Sequence, residues 1–135
     1  MKAQQIFVNL AVNDLKKSMT FFETLGFTFN KKISDETASC LVLGENLHSM
    51  LLTKDKFKEF TKKPLSNAKQ QTETLVALQL DNKEEVDNIV KKAVDAGGSI
   101  YAEPQDYGFM YQHSFEDLDG HQWEVFFMDE SKFPS

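Results

Sequence analysis

FEDLDGHQWEVFFMD, residues 115–129, combines a tight turn with a strand-like run near the C-terminus. The turn is predicted at 117–120, DLDG, because Asp and Gly favour chain reversal. A half-buried strand would alternate apolar and polar residues, but in the run after this turn both parities are mostly apolar. Glu124 is the exception. A carboxylate among Trp, Val and Phe residues is expected to be paired, to face a cavity or to act as a ligand.

The composition is that of one globular domain, with 135 residues, 41% of them hydrophobic and 27% charged. Twelve phenylalanines favour an aromatic-lined cavity. A net charge of −6 and the lack of arginine argue against a nucleic-acid partner. The single cysteine, Cys40, excludes an intramolecular disulfide and is predicted to be a buried structural thiol in a cytoplasmic protein. The sequence shows neither a signal peptide nor a membrane-spanning stretch, so no membrane partner is expected.

One order of elements occurs twice along the chain: a strand, a helix and then three strands. Module one spans about 5–53 and module two about 75–129. The Lys-rich segment 54–74 between them is predicted to be a partly helical connection, either a lid or a solvated linker. The predicted elements are strand 6–12, helix 15–25, strands 28–33, 39–43 and 49–53, then strand 75–80, helix 83–96 and strands 99–103, 111–116 and 122–128.

The alternation along the first strand of each module predicts which face meets the helix. The residues expected beneath the helices are Ile6, Val8, Leu10 and Val12 in module one and Val76, Leu78 and Leu80 in module two. The opposite faces are expected to be concave, and Glu124 is expected to share them. The sequence therefore predicts an α+β fold in which two βαβββ modules form curved mixed sheets around a concave pocket.

Two motifs resemble those of the vicinal oxygen chelate superfamily, the group of glyoxalases, extradiol dioxygenases, fosfomycin-resistance proteins and bleomycin-binding proteins. NDLKKSMTFFETLGF, at 13–27, is similar to the family's Asp-Leu-x-x-Ser-x-x-Phe-Tyr helix followed by Leu-Gly-Phe. FEDLDGHQWEVF, at 115–126, resembles its Asp-Pro-Asp-Gly-His-x-x-Glu turn and strand, with Leu118 where Pro is usual. The resemblance covers essentially the whole chain, and it also implies a homodimer.

Metal-dependent members of that family place four ligands on the concave strands, usually His, Glu or Gln. In this sequence those positions match Phe7, Leu75, a residue near Leu51, and Glu124. Phe and Leu offer no lone pair, so Glu124 is the only matching ligand. The resemblance therefore implies no metal site of the usual kind, and we expect no cofactor; a divalent metal is disfavoured.

Glu124 and His113 are the candidate catalytic residues. An imidazole titrates near neutral pH, which would suit a general base if His113 faces the cavity. Glu124 is open to three readings: metal ligand, hydrogen-bonding partner of a small molecule, or residue satisfied by its neighbours. His121 is predicted to stabilise the turn, and His48 is predicted to be exposed. The residues predicted to line the ligand pocket are Phe7, Asn9, Leu75, Gln79, Tyr111, Glu124 and Phe126.

The leading expectation is binding of a small molecule in an aromatic concave pocket without the usual metal, as in the bleomycin-resistance branch. The alternative is a metal-dependent lyase of glyoxalase type or an extradiol dioxygenase, using non-standard ligands such as His113 with Glu124. A third possibility is a metal-free enzyme that uses His113 or Glu124 as acid or base. The sequence names no substrate.

Overall fold

In the computed structural model, which describes residues 1–133, the chain divides after Asn67 into two compact units. Each unit contains one four-stranded mixed sheet. In each sheet the first strand lies parallel to the last, and the remaining pairs are antiparallel. The predicted α+β fold of two βαβββ modules is thereby confirmed. Within residues 1–133, no helix has both the length and the apolar character needed to cross a membrane.

The first unit has strand order β1-β4-β3-β2. Its elements are β1 (Ile6–Val12), α1 (Leu15–Thr24), β2 (Thr28–Asn30), β3 (Ala38–Gly44), β4 (Leu47–Thr53) and α2 (Lys54–Lys58). Helix α1 begins after Asp14, whose carboxylate accepts a hydrogen bond from the Lys17 amide at 3.1 Å. It buries Leu15, Ser18, Phe21 and Phe22 against the sheet.

The face of the first sheet that α1 covers is the predicted one. Met19 of α1 accepts a hydrogen bond from Ser39 of β3 at 3.1 Å, and Ser39 lies directly across from Leu51. Leu51 in turn lies beside Leu10, and both side chains are buried. Ile6, at the start of β1, is 56% exposed, so the buried part of this face does not extend to the beginning of the strand.

The second unit has strand order β5-β8-β7-β6. Its elements are β5 (Leu75–Gln79), α3 (Lys83–Asp95), β6 (Gln105–Asp106), β7 (Met110–Glu116) and β8 (Gln122–Met128). Asn82 caps α3 by accepting a hydrogen bond from the Glu85 amide at 2.8 Å. The helix buries Val86, Ile89, Val90 and Ala93, which are members of the predicted apolar stripe.

Two predicted strands differ from the structure for local reasons. The strand predicted at 28–33 ends at Asn30, because the Asn30 side chain accepts a hydrogen bond from the Lys32 amide at 3.0 Å and starts a 3-10 turn. The strand predicted at 99–103 is reduced to a single bridge between Ser99 and Glu116. Pro104 follows closely, and a proline cannot donate to a strand ladder.

Candidate functional site

The second sheet has one face covered by α3 and another that carries Glu124. Trp123 and Val125 of β8, which alternate with Glu124, are fully buried on the α3 side. The register places Ala77 of β5 beside Glu124 and Ser114 of β7 across from it. We call this surface the Glu124 face, and its residues are Leu75, Ala77, Gln79, Gln112, Ser114, Glu116, Gln122, Glu124 and Phe126.

Tyr101 places a phenol group at the Glu124 face, and sequence reasoning missed it. Its hydroxyl oxygen is buried and has no hydrogen-bond partner among residues 1–133. Burial raises the pKa of the Tyr101 hydroxyl; the nearby Ser114 hydroxyl lowers it, and the charges of Glu124 and Glu116 raise it. Tyr101 therefore stays protonated at neutral pH and can donate a hydrogen bond.

The two carboxylates near Tyr101 differ in their partners. Glu116 accepts a hydrogen bond from the Gln122 amide group at 3.0 Å, and Gln122 accepts one from the Thr72 hydroxyl at 3.2 Å. Within residues 1–133, the carboxylate of Glu124 takes part in no hydrogen bond or ion pair, although the residue is half-buried. Glu124 is thus the carboxylate of this face that is free to meet another molecule.

The turn before β8 holds Glu124 in place through the buried carboxylate of Asp117. One oxygen of Asp117 accepts hydrogen bonds from the amides of Asp119 and His121, both at 3.0 Å, and the other accepts from Trp123 Nε1 at 3.1 Å. Burial raises the pKa of Asp117, and the nearby His121 acts in the opposite direction. This turn is structural, and it fixes where β8 begins.

Tyr111 and His113 lie on the other face of the second sheet. The Tyr111 hydroxyl donates to Asp87 of α3 at 2.6 Å, and Lys83 Nζ lies 4.5 Å from its ring centroid. His113 shares the parity of Tyr111, and its buried Nδ1 has no hydrogen-bond partner within residues 1–133. The structure therefore separates both side chains from Glu124, which corrects the prediction that Tyr111 shares a surface with it. The register between β7 and β8 determines which β7 side chains share a face with Glu124, and parity within a single strand does not reveal that register.

In the first unit, the face away from α1 carries Phe7 and Asn9 of β1, as predicted, and also His48 of β4. His48 was predicted to be exposed but is only 7% exposed, because β4 begins at Leu47 and pairs His48 with Phe7. The two rings stack with centroids 4.6 Å apart. His48 Nε2 is buried, with no hydrogen-bond partner in the described part of the chain.

Cys40 of β3 lies beside His48, on the strand next to β4. Its sulfur is 3.8 Å from His48 Nδ1, and the side chain is completely buried, which confirms the prediction of a buried thiol. Burial raises the pKa of Cys40, so the thiol stays protonated at neutral pH. A buried, protonated thiol contributes to packing and is poorly suited to nucleophilic attack.

The residues at the family's metal-ligand positions do not fit the usual divalent site. One position was predicted to lie near Leu51, and Leu51 itself is fully buried on the α1 side. Its neighbour Met50 takes that position. Met50 pairs with Asn9, two residues after Phe7, and Glu124 likewise pairs with Ala77, two residues after Leu75. The four positions thus hold two hydrocarbon side chains, Phe7 and Leu75, one thioether and one carboxylate. Among residues 1–133, no three or more His, Cys, Asp or Glu side chains form a group able to hold a metal ion.

A cleft of about 570 Å³ lies on the first unit, lined by Leu15, Lys16, Met19, Asp35 and Glu36. The Asp35 carboxylate accepts hydrogen bonds from the Thr37 amide and hydroxyl and from the Ala38 amide. These bonds lower the pKa of Asp35. Because its carboxylate is engaged in this local turn, we do not place the functional site in the cleft.

Comparisons with known proteins agree with this architecture. The sequence model of the Glyoxalase/Bleomycin resistance protein/Dioxygenase superfamily matches residues 4–125. A hypothetical protein from S. aureus is 29% identical, with 94% of this chain and 95% of that chain covered and a TM-score of 0.80. No match was found among curated protein sequences.

Two further solved structures share the fold. One is a glyoxalase/bleomycin resistance protein/dioxygenase family enzyme from Burkholderia phytofirmans PsJN, 19% identical, with 93% of this chain and 99% of that chain covered and a TM-score of 0.76. The other is the genomically encoded fosfomycin resistance protein FosX from Listeria monocytogenes, 19% identical, with 97% and 98% covered and a TM-score of 0.71. At these identities the likeness extends to the fold alone.

Proposed function

This chain belongs to the glyoxalase/bleomycin resistance protein/dioxygenase superfamily, and on that premise we propose that it binds a small organic molecule on the Glu124 face without the usual metal ion. The family assignment confirms the resemblance of the two sequence motifs. The proposal concerns what this member does with a family fold that supports several chemistries.

The unpaired polar groups at the Glu124 face carry the proposal. Tyr101 has a buried hydroxyl without a hydrogen-bond partner among the described residues, and the half-buried carboxylate of Glu124, whose charge acts on Tyr101, accepts no hydrogen bond from them either. A buried polar group without a partner is costly, and most such groups in proteins are satisfied. A bound molecule that hydrogen-bonds to the Tyr101 hydroxyl would remove this cost and could also donate to Glu124, so the pair favours ligand binding at this place.

Apolar side chains beside the pair would hold the body of the ligand. Leu75 is 49% exposed, and Ala77 and Phe126 share its face. A few polar groups within a mainly apolar lining are typical of small-molecule sites. In this arrangement the apolar residues supply affinity, while Tyr101 and Glu124 orient the ligand.

A screen of small fragments by thermal shift, followed by affinity measurement, tests this proposal. Fragments that stabilise the protein should bind about five- to tenfold more weakly to Tyr101→Phe and to Glu124→Ala. Tyr111→Phe and Glu84→Ala are matched controls, because Tyr111 lies on the α3 side and Glu84 is exposed on α3. Equal loss of affinity in the controls and the test variants would refute the site.

A chelator decides whether binding needs a metal. We expect the affinity of the fragment hits to be unchanged after treatment with EDTA. Binding that disappears with the chelator and returns with one divalent cation would contradict the proposal and support the metal-dependent alternative. That alternative has less support, because the sheet separates His113 from Glu124.

Glu124 and the nearby Tyr101 hydroxyl could also act as a general base and a general acid, so a metal-free enzyme is the second candidate function. Incubation of each fragment hit with the protein, followed by mass analysis of the solution, separates the two functions. Recovery of the unchanged molecule supports binding alone. A product that forms with the natural protein and not with Glu124→Gln supports catalysis.

A further inference from the structure

Three side chains able to bind a soft metal ion meet on the first sheet, on the face away from α1. Cys40 of β3 lies directly across from Met50 of β4, and His48 lies two residues before Met50 on the same strand. Because side chains alternate along a strand, all three share one face. A thiol, an imidazole and a thioether are therefore neighbours in the first unit, whereas the Glu124 face belongs to the second.

Two of these groups already have the spacing of metal ligands. Cys40 Sγ lies 3.8 Å from His48 Nδ1. A metal–sulfur bond of about 2.3 Å and a metal–nitrogen bond of about 2.0 Å that meet at about 120° separate the two atoms by about 3.7 Å. The His48 ring is only 7% exposed, and its stacking on Phe7 fixes its orientation. The sulfur and the nitrogen thus stand at the distance that a three-coordinate ion requires.

Met50 supplies the third donor and a way in for the ion. Cys40 is completely buried, whereas Met50 across from it is partly exposed. The Cβ atoms of directly opposite residues on neighbouring strands lie about 4.5–5.5 Å apart. A methionine side chain is unbranched and rotates about three bonds, so its sulfur can turn toward the Cys40 sulfur.

The charge of this face selects a monovalent ion. Among the strand residues that share it in the described part of the chain, none is charged. One thiolate neutralises one positive charge, so a monovalent ion leaves the site neutral. A divalent ion would keep an uncompensated charge in a buried place, which is costly.

We propose that Cys40, His48 and Met50 bind one soft monovalent cation, Cu(I) or its analogue Ag(I). Thiolate and thioether sulfur favour Cu(I), and imidazole also suits copper. On binding, the Cys40 thiol loses its proton to solvent and its sulfur bonds to the ion, with no change of oxidation state. The site is independent of small-molecule binding on the Glu124 face.

Titration of the natural protein with Ag(I) in chloride-free buffer tests the site. We expect one tightly bound ion per chain. In protein with isotope-labelled histidines, the NMR signals of the His48 ring nitrogens should shift, while those of His113 and His121 should stay in place. Zn(II), a divalent ion, should bind about tenfold or more weakly than Ag(I).

Variants separate this site from a thiol that acts alone. Cys40→Ser should abolish Ag(I) binding, and His48→Gln and Met50→Leu should each weaken it about tenfold or more. Met19→Leu is the matched control, because the Met19 sulfur lies on the α1 side of the same sheet, where it accepts a hydrogen bond from Ser39. Its affinity for Ag(I) should equal that of the natural protein.

Unchanged Ag(I) affinity in both His48→Gln and Met50→Leu would overturn the inference, because the thiol alone would then account for binding. It would also be overturned by His48 ring nitrogens that do not respond to Ag(I), or by Zn(II) binding as tight as that of Ag(I). The NMR measurement uses the natural protein, so it decides even if a variant fails to fold. Fragment binding on the Glu124 face is measured separately, so failure of this inference leaves the proposed function standing.

Discussion

Gly120 shows how a single residue controls the position of Glu124. Its φ of +88° lies in the left-handed region that favours glycine. A Cβ added there would lie 2.8 Å from the Lys69 Cα, so the backbone of the segment before β5 packs directly on this residue. The turn before β8 is therefore built for a residue with no side chain.

Replacing Gly120 with alanine should lower the free energy of unfolding more than the same change at Gly108. Both glycines have positive φ, +88° and +84°, and the conformational cost of about 1–2 kcal/mol is common to both. Only Gly120→Ala meets backbone atoms, which should add about 1–3 kcal/mol. Urea denaturation of the two variants measures the difference. Equal destabilisation would show that Lys69 moves aside freely.

Individual site residues were only partly predictable from the sequence. Glu124 was evident because a carboxylate interrupts an apolar run. Tyr101 was missed because the strand predicted at 99–103 is reduced to a single bridge between Ser99 and Glu116, so strand alternation does not indicate where the Tyr101 side chain lies. His48 was misplaced, and the ligand position near Leu51 was not resolved to Met50, because the pairing between β1 and β4, and thus which side chains share a face, is set by long-range register.

Helix α3 is tied to its sheet by a hydrogen bond that responds to pH. The Tyr111 hydroxyl of β7 donates to Asp87 of α3 at 2.6 Å. Burial, that hydrogen bond and the charges of Asp87 and Asp106 raise the pKa of Tyr111 from 10.0 to about 12. The folded protein therefore holds this proton more tightly than the unfolded chain does.

The linkage predicts a specific window of alkaline sensitivity. Because the folded-state pKa is raised, the stability from protonated Tyr111 is complete below pH 10 and is lost as pH rises toward about 12. The difference in unfolding free energy between the natural protein and Tyr111→Phe should be constant up to pH 10 and shrink above it. Urea denaturation over this range measures it. A difference that grows with pH would contradict the assignment.

The N-terminal cap of α3 offers a second test of what stabilises this helix. Asn82→Ala removes the acceptor of the Glu85 amide and should destabilise the protein by about 1 kcal/mol. Asn88→Ala, at an exposed position within the same helix, should be neutral or slightly stabilising, because alanine is the better helix former. Thermal and urea denaturation of both variants provide the comparison. If Asn82→Ala proved as neutral as Asn88→Ala, the cap would be irrelevant to stability.

For the chain taken together, the repeat was the most informative signal in the sequence. It predicted the order of every main element, because hydrophobic periodicity is local and survives without tertiary knowledge. The segment predicted as a connection, 54–74, begins with the short helix α2 and contains the boundary after Asn67. What sequence could not supply was pairing between distant strands.

The connection should be the first place where a protease cuts the native chain. Lys62 and Lys63 are exposed and lie outside helices and strands. Because Pro64 protects the bond after Lys63, brief digestion with trypsin should release two fragments that separate after Lys62, as identified by mass spectrometry. Initial cleavage within α3, at Lys91 or Lys92, would show instead that the helix opens more readily than the connection.

The parallel pairing of first and last strands also bears on how the protein is made. In each unit the opening strand, β1 or β5, finds its neighbour only when the closing strand, β4 or β8, is available. The first sheet has all its strands once Thr53 has been translated, so it can form while the ribosome is still adding the second half. The second sheet must wait for residues 122–128, which form its closing strand. Until then β5 has no partner, and the nascent chain is most open to chaperones or to aggregation during that interval.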